Sequence, residues 1–197
     1  PDGWESVNLT LQDIKSMTLE ELRADFIAQG QKPFHALQVY RWLHRGVRSF
    51  AEMSDQSKAF RQTLSERYYI AVAEIEQRLV SKLDGTAKYL LRLPDGEHVE
   101  CVLMEYHHGY SICISSQVGC KMNCSFCATG KSGFSRNLTA SEMLAQIQTV
   151  QQDQGIRISN VVLMGMGEPL DNYQNVLRFL ELVSSDEGMN IGMRHIS

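Results

Sequence analysis

The chain has 197 residues, of which 43% are hydrophobic and 21% charged, a balance typical of a globular protein with one good core or two modest domains. Its 14 glycines and 4 prolines exclude a collagen-like or low-complexity chain. The formal net charge of −4 argues weakly against a nucleic-acid-binding protein, but residues 31–50 contain basic side chains and no Asp or Glu, so a local RNA contact stays open. We expect a cytoplasmic protein, since no apolar run is long enough to span a membrane and no secretory leader opens the sequence.

Residues 1–73 predict a helical domain. Thr18 and Glu21 form a capping box at the start of one helix, and Pro33 begins a second apolar pattern at helical spacing. In that second pattern, three basic residues recur at i, i+4 and i+7 and are expected to share one helix face: Arg41, Arg45 and Arg48. This face is either a solvated surface or a contact for RNA phosphates.

Residues 74–109 predict a small antiparallel β meander that links the helical domain to the rest of the chain. The strand-like stretches cover residues 79–82, 87–93 and 98–104. They are separated by Asp84-Gly85 and by Pro94-Asp95-Gly96, which are sequences typical of tight turns between paired strands.

From residue 110 onward, predicted strands alternate with predicted helices. The strands cover residues 111–115, 160–164 and 191–197. Thr139 and Glu142 form a second capping box, and Asp171 is expected to cap the helix that follows the second strand. This alternation implies a parallel sheet with right-handed crossovers. Three such strands make a poor closed unit, so we expect the chain to be a fragment of a larger protein.

Three cysteines in a CxxxCxxC run indicate a metal or cluster site: Cys120, Cys124 and Cys127. Three thiolates can hold an iron–sulfur cubane and leave its fourth iron without a protein ligand, whereas structural zinc prefers four protein ligands. A zinc site would need Cys113, His107 or His108 to complete the set. The spacing therefore favours an iron–sulfur cluster, and a non-catalytic zinc module with an RNA-binding arm is the alternative of another class.

Three segments around these cysteines resemble the RlmN family of radical S-adenosylmethionine RNA methyltransferases. They are residues 113–120, 134–140 and 161–172. The resemblance implies an α/β fold, in which a helical accessory domain (1–73) and a small β linker (74–109) precede the first half of a radical-SAM (β/α)6 partial barrel (110–197). It also implies methylation of carbon 2 of adenosine in 23S rRNA and in tRNAs. An antibiotic-resistance relative that methylates carbon 8 shares these motifs and is the closest alternative.

The resemblance also assigns cofactors and cofactor-binding residues. Three thiolates would ligate a [4Fe–4S] cluster whose free iron binds S-adenosylmethionine: Cys120, Cys124 and Cys127. Gly167, just after a predicted strand, would permit close backbone approach to that cofactor. The carboxylate of Glu168 would accept hydrogen bonds from the methionine ammonium.

Two further residues receive catalytic roles from the resemblance alone. Cys113 would deprotonate the RNA–protein adduct and then form the disulfide that releases the product, and Glu100 would be a proton acceptor. From their own contexts, Cys113 is more typical of a buried strand cysteine and Glu100 of a solvent-facing carboxylate. Cys101 has no role in the family pattern and is expected to be structural.

One departure from the family pattern limits what this chain can do. The family uses a second catalytic cysteine near its C-terminus, which carries the methyl group, but no cysteine follows Cys127 here. We therefore expect residues 1–197 to be inactive alone, and the full-length protein to be active. The resemblance further implies a small electron donor such as flavodoxin; we expect a monomer without a membrane partner.

Overall fold

The computed structural model describes residues 11–107 and 109–197. Its first part is helical, with α1 (Leu19–Ala28), α2 (Pro33–Arg45) and α3 (Lys58–Arg67). Two short strands, β1 (Gln12–Asp13) and β2 (Tyr68–Tyr69), pair in parallel and bring the two ends of this region together. Apolar side chains from all three helices, including Leu22, Phe26, Leu43 and Leu64, form its core.

Local signals set the helix starts as the sequence predicts. The Thr18 hydroxyl accepts a hydrogen bond from the Glu21 N–H, and the Glu21 carboxylate accepts one from the Thr18 N–H, which completes the capping box. Pro33 occupies the first turn of α2, where its missing N–H has no helical partner to lose.

The expected basic face of α2 is wrong at its third residue. Gly46 adopts φ +90°, a left-handed conformation that ends the helix after Arg45. Arg48 therefore lies beyond the helix, so the i, i+7 relation to Arg41 does not apply to it. The helical spacing of the three arginines is interrupted at Gly46.

A five-stranded sheet forms the centre of the molecule, in the order β3-β4-β5-β6-β9. Its strands are β3 (Glu74–Val80), β4 (Ala87–Arg92), β5 (His98–Tyr106), β6 (Gly109–Cys113) and β9 (Ile158–Val162). Neighbours are antiparallel from β3 to β6, and β6 pairs with β9 in parallel. The second and third strands of the predicted meander lie where expected, but its first strand lies at Glu74–Val80 rather than at residues 79–82. The meander thus continues directly into the parallel pair, so residues 74–109 and residues after 110 share one sheet.

Helix α5 (Ala140–Gln154) makes the crossover between the two parallel strands. It begins with the predicted capping box of Thr139 and Glu142 and ends at Gly155, which has φ +63°. All residues from 140 to 150 are buried. This is more than the single apolar stripe of a surface helix, because helical residues of the N-terminal region cover its other side: Gln148 donates to the Leu43 carbonyl.

Two elements near the site complete this part of the fold. Strands β7 (Gln117–Gly119) and β8 (Phe134–Asn137) pair in an antiparallel ribbon, and the one-turn helix α4 (Ala128–Lys131) lies in the loop between them. The loop that β7 and β8 enclose carries Cys120, Cys124 and Cys127.

The last predicted elements need two corrections. Helix α6 (Tyr173–Ser184) has Asn172 at its N-cap, so Asp171 does not cap it. The expected third strand over residues 191–197 is instead a 3-10 turn at Met193–His195, followed by a parallel bridge between Val161 and Ile196. Among the described helices, none is long and apolar enough to cross a membrane.

Candidate functional site

The carboxyl ends of β6 and β9 carry the predicted site residues. The chain leaves β6 at residue 114 and β9 at residue 163, and the two exits run side by side. The Gly165 N–H donates to the Ile114 carbonyl at 3.0 Å, and the Ser116 N–H donates to the Met166 carbonyl at 2.9 Å. Ligands of open parallel sheets bind at this end of the strands, so the two exits form a candidate cofactor platform.

Two glycines allow these exits to approach so closely. A Cβ on Gly165 would lie 2.6 Å from the Ile114 carbonyl oxygen. A Cβ on Gly167 would lie 2.6 Å from Cβ of Gln117, and Gly167 also has φ +102°. Any larger residue at either position would push the two segments apart.

A buried serine joins this platform to the neighbouring strand β5. The Ser115 hydroxyl donates to the Glu100 carbonyl at 2.6 Å and accepts from the Met166 N–H at 2.9 Å. Gln146 is fully buried in α5. Its side-chain amide accepts a hydrogen bond from the Ser115 N–H and donates one to the Ser115 carbonyl, each at 2.9 Å. These bonds satisfy backbone groups that leave the sheet ladder at the end of β6.

The Gln117 side chain holds the turn after β9. Its Oε1 accepts from the Glu168 N–H at 2.9 Å, and its Nε2 donates to Asn137 and to Asp171, each at 2.8 Å. Asp171 also forms an ion pair with Lys121 at 2.9 Å, and the hydrogen bonds from Lys121 and Gln117 lower the pKa of the Asp171 carboxyl. This explains why Asp171 is not a helix cap: its carboxylate is bound to the cysteine loop.

Glu168 is partly buried at the start of a 3-10 turn (Pro169–Asn172). Its carboxylate accepts a hydrogen bond from the Leu170 N–H at 3.0 Å, which leaves further lone pairs available. The predicted pair Gly167 and Glu168 is thus held on the platform by its neighbours, with the Glu168 backbone fixed by Gln117.

The three cysteines of the CxxxCxxC run share one loop but differ in exposure. Cys120 is buried, with its N–H donating to the Gly133 carbonyl, Cys127 is intermediate, and Cys124 is exposed. Backbone N–H groups of Gly130 and Thr129, at the start of α4, lower the pKa of the Cys127 thiol. Such donors favour the thiolate, which is the form that binds metals.

The three thiols of this loop are the donor set of an iron–sulfur cluster with one iron left free, whereas structural zinc prefers four protein ligands. Among residues 11–107 and 109–197, no group of three His, Cys, Asp or Glu side chains is placed to hold one metal ion. A cubane takes each thiolate on a different iron, so the thiolates need not converge on one point as zinc requires. His108, one of the side chains that could complete a zinc site, lies outside the described residues.

Glu100 and Cys113 lie on the same face of the sheet. Cys113 pairs with Val102, and Glu100 precedes Val102 by two residues on the same strand. The Glu100 carboxylate is half exposed and forms an ion pair with Lys88 at 2.8 Å. Burial raises the pKa of the Cys113 thiol, partly offset by the Met164 N–H. Cys101 lies on the opposite, buried face, where burial raises the pKa of its thiol strongly.

Four polar side chains that the sequence analysis did not single out hold the platform together. They are Ser115, Gln117, Gln146 and Asn172. Asn172 is buried and donates to two carbonyls, of Ser116 and Leu138, each at 2.8 Å. The sequence signal for such residues is a polar side chain within an otherwise apolar segment, because a buried polar group is nearly always hydrogen-bonded.

The predicted RNA-contacting arginines are not gathered at this platform. Arg41 forms an ion pair with Glu187 at 2.7 Å, and the Arg45 guanidinium lies 5.5 Å from the centroid of the Trp42 ring. Arg48 donates to the Ala73 carbonyl at 3.2 Å. All three are exposed on the helical region.

Two family models match this chain, and together they span most of it. Residues 12–70 match the ribosomal RNA large subunit methyltransferase N-terminal domain, and residues 114–197 match the radical SAM superfamily. A probable dual-specificity RNA methyltransferase RlmN of Lachnoclostridium phytofermentans is 52% identical over 186 residues, which is 94% of this chain and 52% of that protein. One of Alkaliphilus metalliredigens is 51% identical over 94% of this chain and 53% of its own length. The chain belongs to the RlmN family.

A solved structure agrees with this family assignment. The crystal structure of a radical SAM methyltransferase from Sphaerobacter thermophilus is 37% identical, with a TM-score of 0.86 over 94% of this chain and 55% of its own. The predicted fold class is therefore confirmed. This RlmN-family chain spans about half the length of the relatives it matches. Membership in the radical SAM superfamily implies a [4Fe–4S] cluster and S-adenosylmethionine, in agreement with the predicted cofactors.

Proposed function

We propose that the whole protein is a radical SAM RNA methyltransferase that methylates carbon 2 of adenosine in 23S rRNA and in tRNA. The observation that carries this proposal is the CxxxCxxC loop joined, through Gln117 and Asp171, to the Gly167-Glu168 turn at the ends of two parallel strands. The relatives described as dual-specificity RNA methyltransferases are 51% and 52% identical to this chain, which supports RNA as the substrate.

In this proposal, Cys120, Cys124 and Cys127 bind the cluster. When bound, the cluster supplies the electron that cleaves S-adenosylmethionine and so starts the radical chemistry. Gly167 lets the cofactor approach the backbone, and Glu168 accepts hydrogen bonds from its ammonium group. Because Gln117 already fixes the Glu168 N–H, only the carboxylate has to reorient from the Leu170 N–H.

Glu100 and Cys113 act on protons in the same proposal. They share the sheet face that ends at the platform, and Lys88 holds the Glu100 carboxylate in place. Cys113 takes the proton from the RNA–protein adduct and passes it to a base. Its sulfur then forms a disulfide with the methyl-carrying cysteine, while the bond from that cysteine's sulfur to the transferred carbon breaks and releases the methylated RNA. That second cysteine is not among residues 128–197. The raised pKa of Cys113 keeps it a thiol at neutral pH, so a base must take its proton first.

The helical region contacts RNA in this proposal, through Arg41, Arg45 and Arg48. Their exposure leaves the guanidinium groups accessible to phosphates, although Arg41 must exchange Glu187 for a phosphate. Replacing all three by Ala should weaken RNA binding and reduce its salt dependence. We further propose a cytoplasmic monomer that receives electrons from a small donor such as flavodoxin.

The proposed function is tested with the full-length gene in cells that lack adenosine carbon-2 methylation. Their rRNA and tRNA are digested separately, and methyladenosines are identified by mass spectrometry against standards. Carbon-2 methylation in both pools supports the proposal. Carbon-8 methylation in rRNA alone would instead assign the protein to the antibiotic-resistance relatives that methylate carbon 8. Cys124→Ser should abolish iron binding and methylation together, whereas Cys113→Ala should retain iron and lose methylation. Residues 1–197 alone should give no methylation.

A further inference from the structure

A cavity of about 530 Å³ lies in the helical region, outside the platform. It is formed between α3 and the 3-10 turn at Phe50–Glu52. Apolar side chains, Phe50 and Ile70 among them, form part of its wall, and three cations surround it: Arg48, Lys58 and Arg61. Among the described residues that line it, none is acidic.

Arg61 is fixed with one donor left unused. Its Nη1 donates to the Ala51 carbonyl at 2.5 Å, which ties α3 to the 3-10 turn. Its Nε is buried and has no hydrogen-bond partner in the described part of the chain. A guanidinium with an unsatisfied buried N–H is costly unless a ligand accepts from it.

The other two cations are placed to attract the same ligand. Lys58 is exposed at the first position of α3, where the positive end of the helix dipole also lies, and it forms no ion pair within residues 11–107 and 109–197. Arg48 is held by the Ala73 carbonyl, and its Nη2 lies 3.7 Å from Glu74, so it is only loosely neutralised. The three cations thus line the same cavity.

We propose that this cavity binds one nucleotide of the RNA substrate, with the phosphate among Arg48, Lys58 and Arg61 and the base or ribose against Phe50 and Ile70. A phosphate alone would not use the apolar wall, and a volume of about 530 Å³ lies within the roughly 300–1,000 Å³ of small-ligand pockets. The inference rests on the proposed function. The nucleotide is not the target adenosine, because no residue that lines the cavity belongs to the platform after β6 and β9.

The test measures RNA affinity of the full-length protein carrying Lys58→Glu, Arg61→Gln or both. The probe is a fluorescein-labelled tRNA transcript that the parent protein methylates, titrated by anisotropy between 50 and 200 mM salt. The double variant should bind about tenfold more weakly, and its plot of log affinity against log salt should be less steep by about 0.7 to 0.9, the contribution of the one phosphate that the cavity is proposed to hold. Methylation should show a raised KM with kcat unchanged at saturating RNA.

Lys58→Glu separates binding from folding. A carboxylate at the start of α3 suits the helix dipole, so the thermal midpoint should not fall while RNA affinity does. Arg67→Glu, on the same helix but outside the cavity, makes the same charge change and should alter affinity less than twofold. Equal salt slopes for parent and double variant, with methylation intact, would overturn the cavity assignment alone. A parent protein that neither binds nor methylates RNA would overturn the proposed function, and this inference with it.

Discussion

Mild acid should destabilise this protein because His44 is buried as a neutral imidazole. His44 lies on α2 with 6% of its surface exposed, stacks on Tyr40 at 4.2 Å between ring centroids, and leaves its Nδ1 without a partner among the described residues. Burial first, and the charge of Lys15 second, lower the pKa of His44 from 6.5 to about 3. Protonation of this ring is thus opposed by the fold.

The size of the effect follows from linkage. Since the pKa in the folded state lies below that in the unfolded state, the unfolded chain takes up the proton first, and stability is lost as the pH falls from 6.5 towards 3. Each unit of pKa difference corresponds to about 1.4 kcal/mol, so about 2 kcal/mol of unfolding free energy should be lost between pH 7.5 and pH 5. For a chain of this size, that lowers Tm by about 4 to 8 °C.

Urea unfolding at pH 7.5 and pH 5, followed by tryptophan fluorescence, measures this loss. The parent protein and His44→Gln are compared, because Gln does not titrate and leaves only the acid sensitivity of other groups. His98→Gln is the matched control, since His98 is only partly buried and bonded to Glu76 at 2.9 Å. We expect the parent and the control to lose about 2 kcal/mol more than His44→Gln. Equal losses in all three would mean that His44 titrates normally in the folded protein, and the reasoning from burial would be wrong.

Three further predictions concern the platform and its supports. Gln146→Leu removes the partners of the Ser115 N–H and C=O and should cost about 3 kcal/mol of unfolding free energy in urea, and Gln146→Glu should not restore it because a carboxylate cannot donate to that carbonyl. Gly119→Ala would place a Cβ 2.0 Å from the Gly133 carbonyl oxygen and should lower iron bound per chain after reconstitution, more than Gly133→Ala, whose Cβ meets nothing within 4 Å. Thr139→Ala should cost about 1 kcal/mol, since it removes the cap of α5, and an unchanged urea midpoint would contradict this role.

The sequence predicted those parts of the fold that depend on neighbouring residues. The capping boxes at Thr18 and Thr139 formed as expected because both partners lie within one helical turn. The second and third meander strands followed from alternation and turn residues in the same way, whereas the first begins five residues before the predicted stretch at 79–82. The basic periodicity places Arg48 on α2, but Arg48 lies beyond the helix end. Periodicity alone does not detect a helix stop, and Gly46 is the sequence signal for this one.

The contacts across the platform could not be predicted in this way. Gln146 and Ser115 are 31 residues apart, and Gln117 and Asp171 are 54 apart. Whether a glutamine is buried depends on which backbone group lies beside it. That is decided by the parallel pairing of β6 with β9 and by the packing of the crossover helix α5. The CxxxCxxC spacing indicated the kind of site, but not how the polar residues around it support it.

These long-range polar contacts join the two loops that carry the residues proposed to bind the cluster and S-adenosylmethionine. Gln117 binds the Glu168 N–H on one side and Asp171 on the other, and Asp171 in turn binds Lys121, the residue after Cys120. A movement of the cysteine loop would therefore strain the Glu168 turn, and a movement of the Glu168 turn would strain the cysteine loop. Because a misplacement of about 1 Å can cost roughly a hundredfold in rate, a link between the cysteines proposed for the cluster and the residues proposed for S-adenosylmethionine would help to keep the two cofactors in position. The buried side chain of Gln117, at the exit of β6, is the centre of that link.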